Sequence, residues 1–203
     1  MRIPTPEESS LGPVIPEMCA LPIIGKIGQL SVYLVDSSVE TDIRQNIAHV
    51  AMVAQRSMPK YPAGYDGSVT EDDQRLYILA AGERAVGFVL TALDERFWRL
   101  SWKADGAIEL LGQEALLRRG PKVARVWVAG EYRRKRVSIE LLQLSVQHWS
   151  VEVSALGWEL PFTPSGAALV QRILPTLFLG CGDRYSLYHS LTTAPGAQDQ
   201  TYG

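Results

Sequence analysis

The strongest hydrophobic pattern of the chain lies between residues 123 and 153. Residues 123–129 are a short apolar run rich in β-branched and aromatic side chains, which predicts a buried strand. Apolar residues then recur at helical spacing and predict a helix with a wide apolar face. These residues are Val137, Leu141, Leu142, Leu144, Val146, Trp149 and Val153. Gly130 and four consecutive cations at 133–136 separate the strand from the helix.

The cationic turn favours a pyrophosphate site. A tight turn from a strand into a helix directs unpaired backbone N–H groups and the positive end of the helix dipole at one point. The cations at 133–136 add charge there, and the amides of residues 134–138 would hold the phosphates. A basic run can also be a solvated surface or a nuclear-import segment. The position between a buried strand and a buried helix favours the ligand site.

Shorter patterns predict the other elements. Residues 30–35 read as a strand, and Ser37 with Glu40 forms a capping box for a helix that continues to residue 54. Two apolar runs around Gly82 predict a hairpin, 75–81 with 85–92. The later predictions are a helical stretch at 107–117, a strand at 156–162, a helix at 164–173 capped by Thr163, and a last strand at 184–191.

The domain boundaries follow from composition. Five prolines in residues 1–27 predict an extended N-terminal arm, and the small polar residues 192–203 predict a disordered tail. Residues 28–191 are then one α/β domain, and a chain of 203 residues with 46% apolar residues can bury a substantial core.

The turn also carries a resemblance to a known family. GNAT acetyltransferases grip the pyrophosphate of acetyl-CoA with a strand-turn-helix that reads R/Q-x-x-G-x-G/A. The corresponding window here runs from Arg133 to Ser138, and both of these residues fit. The central glycine of the motif is replaced by Arg136.

A closer resemblance is to the cohesin acetyltransferases, the establishment-of-cohesion family. RVWV at 125–128 followed by RRKRV at 133–137 resembles the RIWV … RRKKIA pattern of that family. FTPSG at 162–166 resembles its PTPDG segment, and the stretch 181–188 resembles its CGTGQFLVY strand. The three matches occur in the family's order.

This resemblance implies a GNAT acyltransferase fold, an α/β (α+β) architecture with a mixed central sheet flanked by helices. It implies acetyl-CoA as the cofactor, with the pantetheine arm paired along the strand and the pyrophosphate in the turn. The implied cofactor-binding residues are Val126, Trp127, Val128, Arg133, Arg134, Lys135, Arg136, Val137 and Ser138. The implied activity is acetyl transfer to a lysine amine of a protein substrate, for which a cohesin-like subunit is the family's example.

The catalytic residues depart from the family's pattern. The family uses a Ser before its RRK and an Asp before its PTP, and these positions are Gly130 and Pro161 here. Nearby carboxylates could serve as the base instead. Glu159, at the end of a predicted strand, is the first choice, and Glu131 in the turn is the second. For each, an ordinary surface carboxylate is the alternative interpretation.

Two other functions stay open, and one more is considered and not expected. One is a GNAT enzyme for a small-molecule amine, with its pocket shaped by residues 61–73 and 93–121. The second is a GNAT-like binding module without catalysis, which the residues at the Ser and Asp positions favour. The third, nucleic-acid binding, is not expected because the net charge is −2.

The composition argues against disulfide-rich, metal-binding and membrane-spanning proteins. Two cysteines make neither a disulfide framework nor, with the histidines, a metal-ligand spacing, so no metal is expected. No run reaches the roughly 18 apolar residues of a membrane span. We therefore expect an intracellular protein, nuclear or cytoplasmic.

Overall fold

The computed structural model describes residues 11–47, 73–112, 114–133, 135–160 and 162–192. The chain divides into two compact units. Unit 1 comprises residues 1–92 and 125–145, and unit 2 comprises residues 93–124 and 146–203. Two long strands, Arg84–Trp102 and Leu116–Val128, and the helix Val137–Trp149 each contribute residues to both units.

Unit 1 is built on an antiparallel meander. Its elements are β1 (Ile23–Ile27), β2 (Leu30–Val35), the helix α1 at residues 41–47, β3 (Gln74–Ala81), the first part of β4 (Arg84–Trp102), the end of β6 (Leu116–Val128) and the start of α2 (Val137–Trp149). β1, β2, β3 and β4 pair in that order. The predicted β3–β4 hairpin is confirmed, and Gly82 takes the positive φ of 61° that its two-residue turn requires.

Two features at the start of unit 1 differ from the sequence predictions. Residues 11–27, expected to be an extended arm, include a 3₁₀ helix at Pro16–Ala20 and strand β1. Ile15 and Met18 are buried, because apolar side chains between the prolines pack into the core. The remainder of the arm, residues 1–10, lies outside the described residues.

The predicted capping box at Ser37 and Glu40 is wrong. Asp36 instead closes a turn before the helix, because its carboxylate accepts from the Ser38 amide at 2.9 Å and from the Ser38 hydroxyl at 2.6 Å. The helix therefore begins at residue 41. Its predicted continuation through residues 48–54 lies outside the described residues.

Unit 2 contains both antiparallel and parallel pairings. Its elements are the end of β4, β5 (Ile108–Leu110), the first part of β6, β7 (Gly157–Glu159), α3 (Pro164–Ile173), β8 (Leu177–Cys181) and α4 (Arg184–Thr192). β4 pairs antiparallel with β5 and β8, whereas β6, β7 and β8 run parallel. The predicted helix at 164–173 is confirmed, and the Thr163 hydroxyl accepts from the Gly166 amide at 3.1 Å as its cap.

Two predictions in unit 2 are wrong. The stretch 107–117 is not a helix, because Gly106 and Gly112 take positive φ values of 82° and 91° and enclose the short strand β5. The stretch 184–191 is a helix rather than a strand. The Asp183 carboxylate accepts from the Ser186 amide at 2.7 Å, which starts α4, and the last strand is the preceding β8.

The helix α2 ends at Trp149, one turn before the predicted Val153. Ser150 takes a φ of 54°, and the amide of Val151 donates back to the Val146 carbonyl at 3.4 Å. This left-handed termination is the usual way to close a helix, although glycine is its preferred residue.

Candidate functional site

The end of β6 is held firmly where the cationic turn begins. In unit 1, the Ala129 amide donates to the Val86 carbonyl of β4 at 2.9 Å. The Trp127 ring stacks on Phe88 with 6.0 Å between centroids, and both rings are buried. The predicted buried strand is confirmed as part of β6. The pairing of Val126, Trp127 and Val128 with a pantetheine arm stays a prediction.

The turn itself is a short 3₁₀ helix, Gly130–Tyr132, followed by the cations. The Arg133 Nε atom donates to the Val128 carbonyl at 3.0 Å, so this guanidinium folds back onto the end of β6. The Lys135 ammonium lies 5.2 Å from the centroid of the Tyr132 ring. Both contacts stabilise the turn, yet Arg133 and Lys135 remain exposed. Arg134 lies outside the described residues.

Arg136 starts helix α2. Its carbonyl accepts from the Ile139 amide at 2.9 Å and the Glu140 amide at 3.2 Å, which makes Arg136 the N-cap. Its φ of 64° is left-handed, a conformation that normally selects glycine. The resemblance to the GNAT motif aligns this position with the motif's central glycine, and Arg136 has a left-handed backbone that glycine adopts readily.

The first amides of α2 provide hydrogen-bond donors. Within the described part of the chain, the N–H groups of Val137 and Ser138 have no acceptor. First-turn amides carry the partial positive charge of the helix dipole and bind phosphate oxygens readily. Three exposed cations precede them: Arg133, Lys135 and Arg136. This donor set suits a diphosphate, and the binding of the coenzyme A pyrophosphate by these residues stays a prediction.

Glu159 lies at the end of β7, in unit 2, inside an ion-pair cluster. The Lys122 ammonium of β6 is 3.3 Å from its Oε2 atom and 3.0 Å from the Oδ2 atom of Asp94 on β4. The side-chain exposures are 18% for Lys122, 24% for Asp94 and 28% for Glu159. The pairs are therefore only partly screened by solvent. Glu159 is a half-buried, oriented carboxylate.

The ion pairs of this cluster shift the pKa values of Lys122 and Asp94. Burial opposes the charge of Lys122, but Glu159 and Asp94 outweigh it and raise the pKa of the ammonium. Burial also opposes the charge of Asp94, yet the Arg96 amide and Lys122 outweigh it and lower the pKa of that carboxyl. Both groups are therefore ionised at neutral pH.

Cys181 lies beside Glu159, as its register partner on β8. Burial and the nearby Asp94 carboxylate raise the pKa of the Cys181 thiol far above its usual range. The side chain is fully buried. A thiol in this environment stays protonated, so Cys181 is a packing residue rather than a nucleophile.

The other sequence-predicted positions contribute less. Glu131 is exposed and, among the described residues, has no hydrogen-bond or ion-pair partner. Gly130 is exposed at the start of the turn, and Pro161 lies outside the described residues. Sequence reasoning missed Asp94 and Lys122, because only the strand pairing places them beside Glu159.

Two further features bear on the kind of site. Among the described residues, no group of three or more His, Cys, Asp or Glu side chains could hold a metal ion. No helix in the same described residues is long and apolar enough to cross a membrane.

Comparison with solved structures identifies the fold. No protein-family model matches the chain, and neither does any curated protein sequence. An xEco2 acetyltransferase domain bound to a K105-CoA conjugate superposes with a TM-score of 0.62 at 13% identity, covering 79% of this chain and 98% of that domain. A second structure of the xEco2 acetyltransferase domain superposes with a TM-score of 0.59 at 14% identity, covering 80% of this chain and 96% of that domain.

The predicted fold class is therefore confirmed. The chain has the α/β GNAT acyltransferase fold, with a mixed sheet and flanking helices. The xEco2 domain bound to the conjugate is matched nearly end to end, over 98% of its length.

Proposed function

We propose that this protein is an acetyl-CoA-dependent N-acetyltransferase that acts on a lysine amine of a protein. The observation that carries the proposal is the β6–turn–α2 segment, with its unpaired amides and exposed cations, on the fold of an acetyltransferase domain. The xEco2 domain that shares this fold is bound to a CoA conjugate of a lysine residue, which supports both the cofactor and the acceptor class.

In this proposal the turn binds the coenzyme. The amides of Val137 and Ser138 hold one diphosphate at the start of α2, and Lys135 and Arg136 neutralise its charge. The backbone of Val126, Trp127 and Val128 extends the sheet with the pantetheine arm. The bound coenzyme supplies the thioester whose acetyl group is transferred.

Glu159 acts as the base. Its carboxylate takes one proton from the acceptor ammonium, and the free amine nitrogen attacks the thioester carbonyl carbon. The C–N bond forms and the C–S bond breaks, while the second proton lost by the nitrogen passes to the departing sulfur. The products are the acetyl-lysine amide, coenzyme A thiol and one proton. Glu131 is the alternative base, because it is solvated and lies in the turn.

The second candidate function is a binding module without catalysis. Gly130 and Pro161, at the positions of the catalytic Ser and Asp in the cohesin acetyltransferases, favour a domain that binds coenzyme A without transferring acetyl. The reaction proposed above predicts turnover despite these two residues. A small-molecule amine as acceptor would give turnover with a different substrate preference.

Calorimetry with coenzyme A and an acetyl-CoA turnover assay test the proposal. We expect binding, and acetyl transfer to lysine peptides faster than to a panel of polyamines and aminoglycosides. Lys135→Ala should weaken binding about threefold, as expected for one exposed, partly screened charge. Lys26→Ala removes an exposed cation of β1 and should leave binding unchanged.

Each negative result has a distinct meaning. No heat of binding with coenzyme A overturns the enzymatic proposal entirely. Binding of coenzyme A without acetyl transfer to any amine supports the function of a non-catalytic binding module. Preferential transfer to a small amine supports the acetyl-transfer reaction but shows that the acceptor is a small molecule rather than a protein lysine.

A further inference from the structure

The sheet that β5, β4 and β8 form in unit 2 has one buried and one exposed face. On β4, Leu100 is buried and its neighbour Arg99 is exposed. The same alternation occurs on β8, where Phe178 is buried and Leu177 is exposed. Helix α3 packs against the buried face. There the Trp102 ring stacks on Phe178 at 4.9 Å, and its indole N–H donates to a carbonyl at the end of α3 at 3.0 Å.

The strand register gathers leucines around Arg99 on the exposed face. Arg99 pairs with Leu179 on β8, and on its other side the Leu111 amide donates to the Arg99 carbonyl at 2.9 Å. Residues directly opposite each other on neighbouring strands point to the same side of the sheet, so Leu111 and Leu179 flank Arg99. Leu177 lies two residues along β8 on the same side, and Leu111 and Leu177 are 38% and 56% exposed. We call Arg99, Leu111, Leu177 and Leu179 the open face of unit 2.

The guanidinium of Arg99 has no carboxylate partner among the described residues. On the neighbouring strand β5, the Glu109 carboxylate accepts from the Ser101 hydroxyl at 3.5 Å instead. Arg118 adds a second positive charge, since its guanidinium lies 5.1 Å from the centroid of the Phe97 ring, two residues before Arg99 on β4. A partner that covers the leucines would also remove Arg99 from water, and a buried charge is costly unless an anion pairs with it. The partner must therefore bring a carboxylate as well as apolar side chains.

We propose that the open face of unit 2 binds an acidic amphipathic segment of a partner protein. Its apolar side chains cover the leucines, and one of its carboxylates pairs with Arg99. Exposed apolar residues grouped together and bordered by polar ones mark interaction surfaces. An amphipathic helix supplies both parts of the match, because its apolar stripe can lie on the sheet while acidic side chains at the edge of the stripe reach the guanidinium. The inference goes beyond the proposed function and does not depend on acetyl transfer.

The experiment measures binding of a fluorescent designed peptide to the full chain by anisotropy. The peptide is a helix of about five turns with leucines on one side and glutamates on the other. A second peptide has lysines in place of the glutamates, and a third has the first composition in scrambled order. Leu177→Ser and Arg99→Gln should each weaken binding of the glutamate peptide about fivefold. Two matched controls should leave it unchanged: Ile23→Ser, at a side chain of β1 that is also 56% exposed, and Arg172→Gln, at an exposed cation of α3.

Weaker binding in both open-face variants and in neither control supports the proposal, provided that Tm is unchanged in all four variants. Equal binding of the scrambled or the lysine peptide overturns it, because the contact is then not specific for an acidic amphipathic segment. Absence of binding, or wild-type affinity in both Leu177→Ser and Arg99→Gln, overturns it as well. Sedimentation velocity distinguishes a further occupant: a dimer that dissociates in Leu177→Ser assigns the face to a second copy of this chain and overturns the partner proposed here. None of these results depends on acetyl-CoA, so a failure of the proposed function leaves them standing.

Discussion

The two ends of helix α2 provide a paired test of backbone strain and coenzyme binding. Arg136 precedes the helix with a φ of 64°, and Ser150 follows it with a φ of 54°. A non-glycine residue in this region costs about 1–2 kcal/mol. Glycine removes that cost, but its larger conformational freedom in the unfolded chain lowers the stability by about 0.5–1 kcal/mol. The net gain is about 1 kcal/mol for either glycine substitution.

Only one of the two residues carries charge at the proposed diphosphate site. For a chain of 203 residues, the gain predicts that Arg136→Gly and Ser150→Gly each raise Tm by about 2–4 °C. Arg136→Gly should also weaken coenzyme A binding about two- to fivefold, because one exposed cation is lost. Ser150→Gly should leave binding unchanged. Arg136→Ala keeps the strained backbone and loses the charge, so binding should weaken without a gain in Tm.

Differential scanning calorimetry and isothermal titration calorimetry measure both quantities on the same samples. Tm values that do not rise in either glycine variant would refute the strain argument. Wild-type affinity in both Arg136 variants would show that this guanidinium does not act on the coenzyme. Equal weakening in Ser150→Gly would show that the change in binding comes from α2 as a whole.

Two further predictions concern unit 2. A Cβ atom on Gly157 would come within 2.3 Å of the buried Phe97 ring, so Gly157→Ala should lower the free energy of unfolding by about 1–3 kcal/mol. Gly120→Ala, whose Cβ would meet the same ring at 3.6 Å, should be neutral by chemical denaturation, and equal losses would contradict the steric argument. The lowered pKa of Asp94 contributes stability above the unfolded-state value of about 4, which is lost as pH falls through the folded-state pKa. In acid unfolding, wild type should therefore be more stable than Asp94→Asn near neutral pH, and this difference in stability should disappear as the pH falls. A difference that stays constant down to pH 2 would contradict this.

Local patterns predicted the central strand, the turn and two helix starts correctly. The apolar run ending β6 and the repeat in α2 each have a single period, so the strand and the helix were unambiguous. Thr163 followed by Pro164 gave a complete capping signal for α3. These elements depend on interactions between residues close in sequence.

The misassigned segments lack such a dominant period. Residues 184–187 alternate polar and apolar side chains, which favoured a strand, whereas the hydrogen bond that the Asp183 carboxylate accepts from Ser186 caps the helix α4. The stretch 107–117 was predicted to be helical, whereas the positive-φ glycines Gly106 and Gly112 and the pairing with β4 determine the short strand β5. In both cases a turn residue at the boundary carried the information.

The candidate site was accessible to sequence reasoning only in part. The cationic turn is contiguous, so its residues could be named directly. The partners of Glu159 come from β4 and β6, and their approach depends on strand register. A one-residue shift in that register would turn the side chains to the opposite face. No local pattern encodes this register, which explains why Asp94 and Lys122 were not predicted.

The contrast between the two cysteines has a practical use for spectroscopy. Cys19 is exposed, whereas Cys181 is sealed in the core as a protonated thiol. Maleimide dyes react with accessible thiolates, so the native sequence should accept a single fluorophore at Cys19 under non-denaturing conditions. The label would sit on the 3₁₀ helix Pro16–Ala20 and require no engineered attachment point.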